Sequence, residues 1–407
     1  MKITVSKNIK QDFPWFKKNP GWTYLDNSAT ALKPKCVIDS IVNYYEQWSA
    51  NPHNSDSQLT YHISELIDVT RSKLAKLINA NKNEIIFTSG ATESLNLVTN
   101  GLAPQFKKED EIIITSGEHT SNLLPWIALA KVKHCKLIYA NNPDEIPTEQ
   151  AIIKKVTKKT KVIAFANISN LIGYELNAAL ISQQAKQINP KILIVCDATQ
   201  MLPHKLIDVK KCNIDFLVAS AHKMCGATGI GMLYMKAMYF NQLHPLRLGG
   251  GMNNDVSCRD FTYANGPDKF EGGSPHSAGI ISWATAIDYL NALGWKKIHQ
   301  HELKLKQYIN QKLSSLKNVE LINPQTIYPI VAFNVKGLHS QDVANYLGHK
   351  KIIVRSGLSC AKLSDKMIKT AGAVRASFYF YNDFHDVDVL VKTLQNLKKE
   401  DVIKHVV

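Results

Sequence analysis

Between residues 84 and 235, short apolar runs alternate with stretches of helical pattern, and this alternation constrains the fold more than any other feature of the sequence. The apolar runs are EIIFT, EIIIT, KLIYA, KVIAFANIS, KILIVCDAT and DFLVASAH. Continuous apolar runs of this length are typical of strands buried on both faces, and the stretches between them are typical of connecting helices. The pattern predicts an α/β fold with a mainly parallel sheet covered by helices on both sides.

The pattern changes after about residue 280, where one or two long helices are predicted and are followed by a mixture of strands and helices. With 407 residues, the chain is long enough for more than one domain. We predict a large α/β domain over residues 22–285 and a smaller α+β domain over residues 286–407, with residues 1–21 as a joining segment. A ligand cleft is expected between the two domains.

Composition narrows the class of protein. The net charge is +15, but the lysines are scattered and no nucleic-acid-binding module is recognisable, which favours a lysine-rich solvated surface and leaves an acidic protein partner or an anionic ligand as the alternative. No apolar run reaches the ~18 residues of a membrane span, and the N-terminal region does not have the pattern of a secretory signal. The seven cysteines include no C-x-x-C pair, so we expect reduced thiols in a cytoplasmic protein and no zinc site.

Four polar residues follow predicted strands closely. His119, Asn170, Asp197 and Lys223 come after EIIIT, KVIAFANIS, KILIVC and DFLVAS, respectively. Each of them alone is more often a cap or turn residue, but in open α/β sheets the carboxyl ends of the strands form the ligand site. A lysine at the end of a buried strand is costly unless it is paired, neutralised or used chemically. These residues therefore predict one polar site at this edge of the sheet.

The segment IIFTSGATESLNLV reads as a strand, a turn of small residues and a helix. Ala91 and Thr92 would lie at the helix N-terminus, where backbone N–H groups and the helix dipole favour a phosphate, although many helices begin with such residues only as caps. An amine, a carboxylate, an aromatic ring and a phosphate site together match pyridoxal 5′-phosphate (PLP). The lysine would form a Schiff base with its aldehyde, and the carboxylate would hold a proton on its ring nitrogen.

The segment SAHKMCGATGIG resembles the lysine motif S-x-H-K-x-x-G-P-x-G-x-G of class V PLP-dependent enzymes, and among them the cysteine desulfurases of the SufS-like group, although Ala227 stands at the proline position. The resemblance extends nearly end to end. It includes YLDNSATALKP, FTSGATESLNLV, EHTSNLLPW, ISNLIG, CDATQMLPH, FEGGSPHSAGI, RSGLSCA and VRASFYFYN. It implies a fold-type-I PLP-dependent transferase, with a large mainly parallel-sheet domain and a smaller α+β C-terminal domain, that forms a homodimer with its sites at the dimer interface.

The resemblance also implies roles for individual residues toward the cofactor. Lys223 would be the Schiff-base lysine, Asp197 would pair with the pyridinium nitrogen, and His119 would stack on the ring and carry protons. Gln200 would hydrogen-bond the ring hydroxyl. The phosphate would be bound by Ala91, Thr92, Ser220 and His222, and Ser274 would reach the phosphate of the partner subunit.

Toward the substrate, the resemblance implies that Asn170 and Arg375 hold a carboxylate, the arginine as a bidentate fork. Cys360 would be the nucleophile, and the cation of Arg355, five residues upstream and counted with the substrate-binding set, would favour its thiolate. The alternative for Cys360 is a structural cysteine. Cys225, two residues after the lysine, is interpreted as a packing residue.

Two segments depart from the SufS-like pattern near the substrate. Leu358 and Ser359 stand where this group usually carries two histidines before the nucleophile, and His53-Asn54 stands where a His-Arg pair is usual. The first departure removes local proton acceptors beside the thiol. Both bear on how sulfur leaves the site and on the acceptor, which the sequence does not identify.

The function predicted from these features is that of a PLP-dependent cysteine desulfurase. It would convert L-cysteine to L-alanine with a persulfide on Cys360, and would supply a sulfur-acceptor or scaffold protein for iron–sulfur cluster assembly. Transfer RNA thiolation and selenocysteine lyase activity would be further uses of the same chemistry. The alternatives are a class V aminotransferase that does not use Cys360, and a non-enzymatic basic scaffold or RNA-binding protein with a PLP fold.

Overall fold

The computed structural model describes residues 9–52 and 56–400. The strands are β1 Thr23–Tyr24, β2 Ile85–Thr88, β3 Glu111–Ile114, β4 Lys136–Tyr139, β5 Thr160–Ala166, β6 Leu193–Asp197, β7 Phe216–Ser220, β8 Gly231–Met235, β9 Asn253–Val256, β10 Phe261–Tyr263, β11 Val319–Ile322, β12 Ile330–Val335, β13 Ile352–Ile353 and β14 Val374–Ser377. The α-helices are α1 Pro14–Lys18, α2 Lys35–Asn43, α3 Gln58–Leu77, α4 Ala91–Leu102, α5 Leu124–Lys133, α6 Glu149–Lys154, α7 Ala178–Ile188, α8 Ser277–Leu293, α9 Trp295–Ser314, α10 Ser340–His349, α11 Asp365–Ile368 and α12 Phe384–Gln395.

The central element is a seven-stranded sheet with the order β2-β8-β7-β6-β5-β3-β4. The ladders from β7 to β4 are parallel, whereas β8 is antiparallel to both β7 and β2. The predicted mainly parallel sheet is therefore confirmed, and β8 is its one reversed strand.

Strand β3 shows why this sheet is covered on both faces. Ile113 packs into one hydrophobic core with Ile163, whereas Ile112 and Ile114 pack into a second core with Val162 on the opposite face. Successive side chains of a strand point to opposite faces, so a run of three isoleucines has to be covered on both faces of the sheet. Full burial of each such isoleucine contributes about 1.5–3 kcal/mol.

The C-terminal part of the chain forms a second sheet, in which β11, β12 and β14 are antiparallel. A third hydrophobic core lies between this sheet and helices α9, α10 and α12; it includes Leu305, Ile309, Phe333, Val343, Val374 and Leu390. The predicted long helical stretch is two helices, α8 and α9, separated at Gly294, whose φ of +87° ends α8. The N-terminal strand β1 pairs in parallel with β13. The proposed domain boundary at residues 285 and 286 lies within α8 and stays a prediction.

One edge of the seven-stranded sheet collects the functional segments. Because β2 and β7 are both antiparallel to β8, β2 runs in the same direction as the parallel strands, and its carboxyl end lies at the same edge as theirs. Strand β8 begins at this edge, where Gly231 pairs with both Thr88 and Ser220. This edge is the position at which open α/β sheets bind ligands. None of the helices in the described ranges combines the length and apolarity needed to cross a bilayer.

Candidate active site

A cavity of about 280 Å³ lies at the carboxyl edge of the sheet, and it receives side chains from both parts of the chain. Twelve of the thirteen residues predicted for the site line it, namely Ala91, Thr92, His119, Asn170, Asp197, Gln200, Ser220, His222, Lys223, Arg355, Cys360 and Arg375. The cavity is also lined by Ser28, Ala29, Ser121, Ala166, Ile168, Thr199 and Ser359, which the sequence analysis did not select. The structure thus brings the predicted set together around one space.

Lys223 ends a short helical turn, Ala221–Lys223, that directly follows β7. Burial lowers the pKa of its amine from 10.5 to about 8; the charge of Arg375 adds to this effect, and the carboxylate of Asp197 opposes it. A lysine with such a pKa is partly neutral near physiological pH and can act as a nucleophilic amine. The lowered pKa reduces the cost of burying this lysine, because the neutral form of the amine becomes accessible.

Asp197 is the last residue of β6, and the turn that follows it fixes its carboxylate. The backbone N–H of Thr199 donates to Asp197 Oδ1 at 3.0 Å, and Gln200 Nε2 donates to the backbone oxygen of Ser28 at 2.8 Å. The hydroxyl of Thr199 is buried and has no hydrogen-bond partner among the described residues. This turn therefore presents a carboxylate, an amide and an unused hydroxyl to the cavity.

The start of helix α4 makes one close contact with the lysine segment and one with the turn that carries His119. The N–H of Ala91 donates to Ser220 Oγ at 2.9 Å, and Thr92 Oγ1 lies 2.7 Å from Ser121 Oγ. A Cβ atom on Gly231 would lie 2.5 Å from the Cα of Gly90, so the last glycine of SAHKMCGATGIG permits the close approach of β8 to the beginning of α4. The arrangement supplies hydroxyls beside a helix N-terminus, which suits an anion.

His119 lies on the turn after β3, and a buried carboxylate supports this turn. Glu118 Oε1 accepts hydrogen bonds from Thr115 Oγ1 at 2.6 Å and from the N–H of Ala166 at 3.0 Å. Burial raises the pKa of Glu118 to about 7. The His119 pKa is lowered by burial and by the charge of Lys223, and Nδ1 accepts the N–H of Ser121 at 3.1 Å. The neutral ring therefore carries its proton on Nε2.

His222 precedes the lysine and faces the same cavity. Burial lowers its pKa to about 4, and the charges of Lys223 and Lys33 act in the same direction. The imidazole is neutral at physiological pH, and its one ring N–H can donate a hydrogen bond to an anion.

Arg375 is the most buried cation of the site, with 1% of its surface exposed. Its Nη2 donates to Asp26 Oδ1 at 2.6 Å, its Nη1 donates to the backbone oxygen of Asn170 at 2.8 Å, and its Nε has no partner among the described residues. Burial lowers the pKa of this guanidinium, and Asp26 opposes the shift. Arg355 lies beside it, with Nη1 3.6 Å from Asp26 Oδ2. Sequence reasoning missed Asp26, although it lies inside the quoted segment YLDNSATALKP.

Cys360 enters the cavity on a loop with an unusual backbone conformation. Gly357, Ser359 and Cys360 have φ angles of +85°, +47° and +64°. Left-handed backbone costs a non-glycine residue roughly 1–2 kcal/mol, so other contacts have to hold this loop. The N–H of Thr120 donates to Cys360 O at 2.9 Å, and Asn170 Nδ2 donates to Ser359 O at 2.6 Å.

The two residues that replace the usual histidines before the nucleophile, Leu358 and Ser359, lie in different environments. Leu358 packs against the main hydrophobic core, and the hydroxyl of Ser359 is buried with no partner in the part of the chain that the structure describes. Cys225 lies in the core, where burial raises the pKa of its thiol, in agreement with the packing role predicted for it. Residues 53 and 54 lie outside the described residues.

Ser274 does not line the cavity of Lys223. It lies in a second cavity of about 190 Å³, together with Thr88, Ser89, Gly229 and His276. The role predicted for Ser274, contact with a phosphate in the partner subunit, concerns a different molecule and stays a prediction.

The cavity fits a polar ligand with several hydrogen-bonding groups. Thr199 Oγ1, Ser359 Oγ and Arg375 Nε belong to residues that line it, and all three atoms are buried without a partner among the described residues. Buried polar atoms are nearly always hydrogen-bonded in proteins, so unpartnered atoms around one space indicate that a ligand supplies their partners. An amine and a carboxylate are the usual protein partners of PLP, and the helix N-terminus suits its phosphate, so the residues present fit this cofactor.

The fold and this site define a PLP-dependent transferase of fold type I. The family model for aminotransferase class V matches residues 23–390, and the chain belongs to that family. The cofactor of the family is PLP, as the residues of the cavity predicted.

Several proteins that are similar to this chain over nearly its whole length are cysteine desulfurases. A "Probable cysteine desulfurase" from Ureaplasma parvum serovar 3 is 48% identical over 394 residues, which cover 97% of this chain and 98% of the relative. The apo cysteine desulfurase from Thermococcus onnurineus NA1 superposes with a TM-score of 0.92 at 34% identity, covering 97% of this chain and 98% of that chain. The cysteine desulfurase CsdA from Escherichia coli, in an S-sulfonic acid form, gives a TM-score of 0.89 at 28% identity and covers 98% of each chain. The resemblance and the fold class predicted from the motifs are confirmed.

Proposed function

We propose that this chain is a cysteine desulfurase that moves sulfur from L-cysteine to Cys360. The observation that carries the proposal is that Lys223, Asp197 and Cys360 line one cavity. The first two are the amine and the carboxylate that would hold PLP, and a thiol beside them is needed for sulfur transfer but not for transamination. The similarity to cysteine desulfurases over nearly the whole chain supports the same activity.

The reaction balances without an outside oxidant. The Cβ–Sγ bond of L-cysteine breaks, an Sγ–Sγ bond to Cys360 forms, and the substrate carbon takes the electron pair and a proton to become the methyl group of L-alanine. The sulfur that is transferred is oxidised and the carbon is reduced, so the enzyme is left with a persulfide. Bound PLP supplies the electron sink that makes the substrate bonds labile.

The residues of the chain would bind, orient and move protons. Arg375 and Asn170 would hold the substrate carboxylate, with Arg375 Nε as a donor still unused. The amine of Lys223, with its pKa of about 8, can take a proton from carbon and return it. His119, neutral and protonated on Nε2, can donate that proton toward a leaving group or stack on the cofactor ring.

The phosphate of PLP would lie at the start of α4, beside Ser220, Thr92 and His222.

The proposed activity also implies an assembly and an acceptor for the sulfur. A homodimer would bring Ser274 to the partner subunit's phosphate, and the persulfide would pass to an acceptor or scaffold protein for iron–sulfur cluster assembly in the cytoplasm. The same chemistry would also accept selenocysteine and supply sulfur for tRNA thiolation.

Substitution of the thiol tests the activity. Cys360→Ser should keep PLP and bind L-cysteine, but in a single turnover it should release neither L-alanine nor sulfide after reduction. Wild-type protein should give one L-alanine for each persulfide. Unchanged turnover in Cys360→Ser would favour the class V aminotransferase instead, and protein that stays colourless with added PLP would favour the non-enzymatic scaffold.

A further inference from the structure

Two hydrogen bonds join the Cys360 loop, residues 357–361, to the rim of the large sheet. The rim is the carboxyl edge of the seven-stranded sheet, with the turns that follow its strands there. One hydrogen bond comes from the backbone of Thr120 and reaches Cys360 O at 2.9 Å; the other comes from the side chain of Asn170 and reaches Ser359 O at 2.6 Å. Thr120 follows β3 and Asn170 follows β5. The large sheet, from which the loop itself does not come, therefore fixes the backbone that carries the thiol.

Asn170 also touches the residue expected to bind the substrate carboxylate. Its backbone oxygen accepts the hydrogen bond of Arg375 Nη1 at 2.8 Å, and the residue is 7% exposed and lines the cavity. A side-chain amide nitrogen carries two hydrogens. Among the described residues, Ser359 O is the acceptor that the structure gives Asn170 Nδ2, so the second hydrogen is available to a ligand in the cavity.

We propose that Asn170 is a positioning residue for Cys360, which shares its amide between the substrate carboxylate and the loop of the nucleophile. This inference rests on the proposed function and deepens it. With one N–H on Ser359 O and the other on the carboxylate, a single side chain sets the distance between the substrate and the thiol. An amino acid with a free carboxylate therefore tightens the loop as it binds, and the thiol is held in place when the substrate sulfur is present.

The conformation of the loop explains why such a bridge has an effect. Ser359 and Cys360 are both left-handed, and the loop forms no ladder with a neighbouring strand. Sulfur transfer requires the two sulfur atoms to approach to about 3–3.5 Å along the bond that breaks. A third hydrogen bond, from the N–H of Ala373 to Gly357 O at 3.2 Å, holds the beginning of the loop. The bonds from Thr120 and Asn170 are those that reach Cys360 and Ser359, so removal of one of them should loosen the part of the loop that carries the thiol.

Hydrogen exchange of the loop amides tests the proposal on the PLP-loaded protein. Peptides covering residues 355–363 are followed by mass spectrometry, with and without L-alanine, which has the carboxylate and amine of the substrate but no thiol. In wild type, saturating L-alanine should slow exchange of the loop. In Asn170→Ala, the loop should exchange about tenfold faster without ligand, as expected for the loss of one hydrogen bond, and L-alanine should not restore protection.

Two further variants separate the bridge from a general effect on folding. Asn170→Asp has the same shape and replaces the donor by an acceptor, so it should loosen the loop as Asn170→Ala does. Lys362→Ala changes an exposed side chain beside the loop, outside the cavity lining, and leaves both hydrogen bonds in place. Its loop should therefore exchange at the wild-type rate and respond to L-alanine as wild type does. Thermal denaturation shows whether each variant is folded.

The outcomes divide clearly. Equal exchange of the loop in wild type and Asn170→Ala without ligand would overturn the tether, whatever the reaction is. Faster exchange of the wild-type loop with L-alanine would also overturn the proposal, because the carboxylate would then displace the amide from the loop. Binding of L-alanine is measured separately by calorimetry. Its absence would contradict the proposed function and the carboxylate half of this inference, and the ligand-free comparison would still decide the tether.

Discussion

The rim of the seven-stranded sheet and the Cys360 loop face the same cavity, but they are held in different ways. Asp197 and Ser220 each end a buried strand, with backbone ladders on both sides of that strand. The thiol lies on a loop with consecutive left-handed residues, fixed by hydrogen bonds from Thr120 and Asn170. The first region owes its geometry to its own strands, whereas the part of the loop that carries the thiol depends on hydrogen bonds from the first region.

This difference matches the tasks proposed for the two regions. A cofactor has to be held in one orientation, and side chains on strand ends provide that precision. A thiol that accepts sulfur and then passes it to another protein has to be placed accurately and later released. Segments with few buried contacts have the lowest local stability, so a loop with a small number of separable contacts suits the second task.

Removal of the lysine at the rim should have the largest effect. Lys223→Ala should lower the rate of L-alanine formation from L-cysteine by roughly 10⁴-fold or more, because the amine both holds the cofactor and moves the proton. Lys223→Arg keeps a cation but not a primary amine, and it should be equally inactive. In the loop, by contrast, Cys360→Ser should keep the cofactor absorbance that Lys223→Ala loses. Near-normal turnover in Lys223→Ala would remove the distinction between the two regions.

Arg375, which donates a hydrogen bond to the backbone oxygen of Asn170 at the rim, should have a smaller effect, mainly on the binding of L-cysteine. Arg375→Lys keeps the charge beside Asp26 but loses the planar fork, so the KM for L-cysteine should rise about 10- to 100-fold, as expected for one hydrogen bond between charged groups. The value of kcat should change much less. Steady-state kinetics measure both. A fall in kcat at constant KM would mean that the arginine acts on the nucleophile loop and not on the substrate carboxylate.

A matched pair of glycine substitutions tests how rigid the rim is. Gly231→Ala places a Cβ 2.5 Å from Gly90 Cα, so it should destabilise the fold by about 1–3 kcal/mol and weaken PLP binding by displacing the start of α4. Gly348→Ala, in α10, meets no atom within 4 Å and should stabilise the protein by about 0.5–1 kcal/mol. Denaturant unfolding and PLP titration measure the two effects. Equal stability of the two variants would contradict the close packing of the rim.

Sequence alone predicted the rim well and the loop less completely. His119, Asn170, Asp197 and Lys223 were found because apolar strands in a parallel sheet bring their carboxyl ends to one edge. That rule needs only local patterns and the general architecture. The family motifs then supplied Cys360 and Arg375, which no periodicity in the sequence connects to this edge.

The remaining parts of the site depend on packing that local patterns do not encode. Asp26 reaches Arg375 because β1 pairs with β13 and because Asp26 bridges to Ser377, contacts between residues more than 300 positions apart. The hydrogen bond from Asn170 to Ser359 O likewise joins segments 189 positions apart. The left-handed backbone of Ser359 and Cys360 could not be predicted from the sequence, because neither residue is a glycine. These features follow from the way in which the two sheets meet.

The smallest effect is expected on the pH dependence of covalent PLP binding by Lys223. Only the neutral amine of Lys223 attacks an aldehyde, and its pKa is lowered to about 8, so the rate at which apoprotein binds PLP covalently should rise with pH and level off above about pH 8. The absorbance of the bound cofactor follows this rate. Asp26 raises the pKa of Lys223, so Asp26→Asn should move the midpoint to lower pH by less than the burial shift, because burial is the largest cause. The pKa of His222, about 4, lies outside this range. The charge of Arg375 lowers the pKa of Lys223. A midpoint that moves upward in Asp26→Asn would therefore mean that loss of the carboxylate moves the Arg375 guanidinium away from the amine, and that this movement outweighs the direct effect of Asp26.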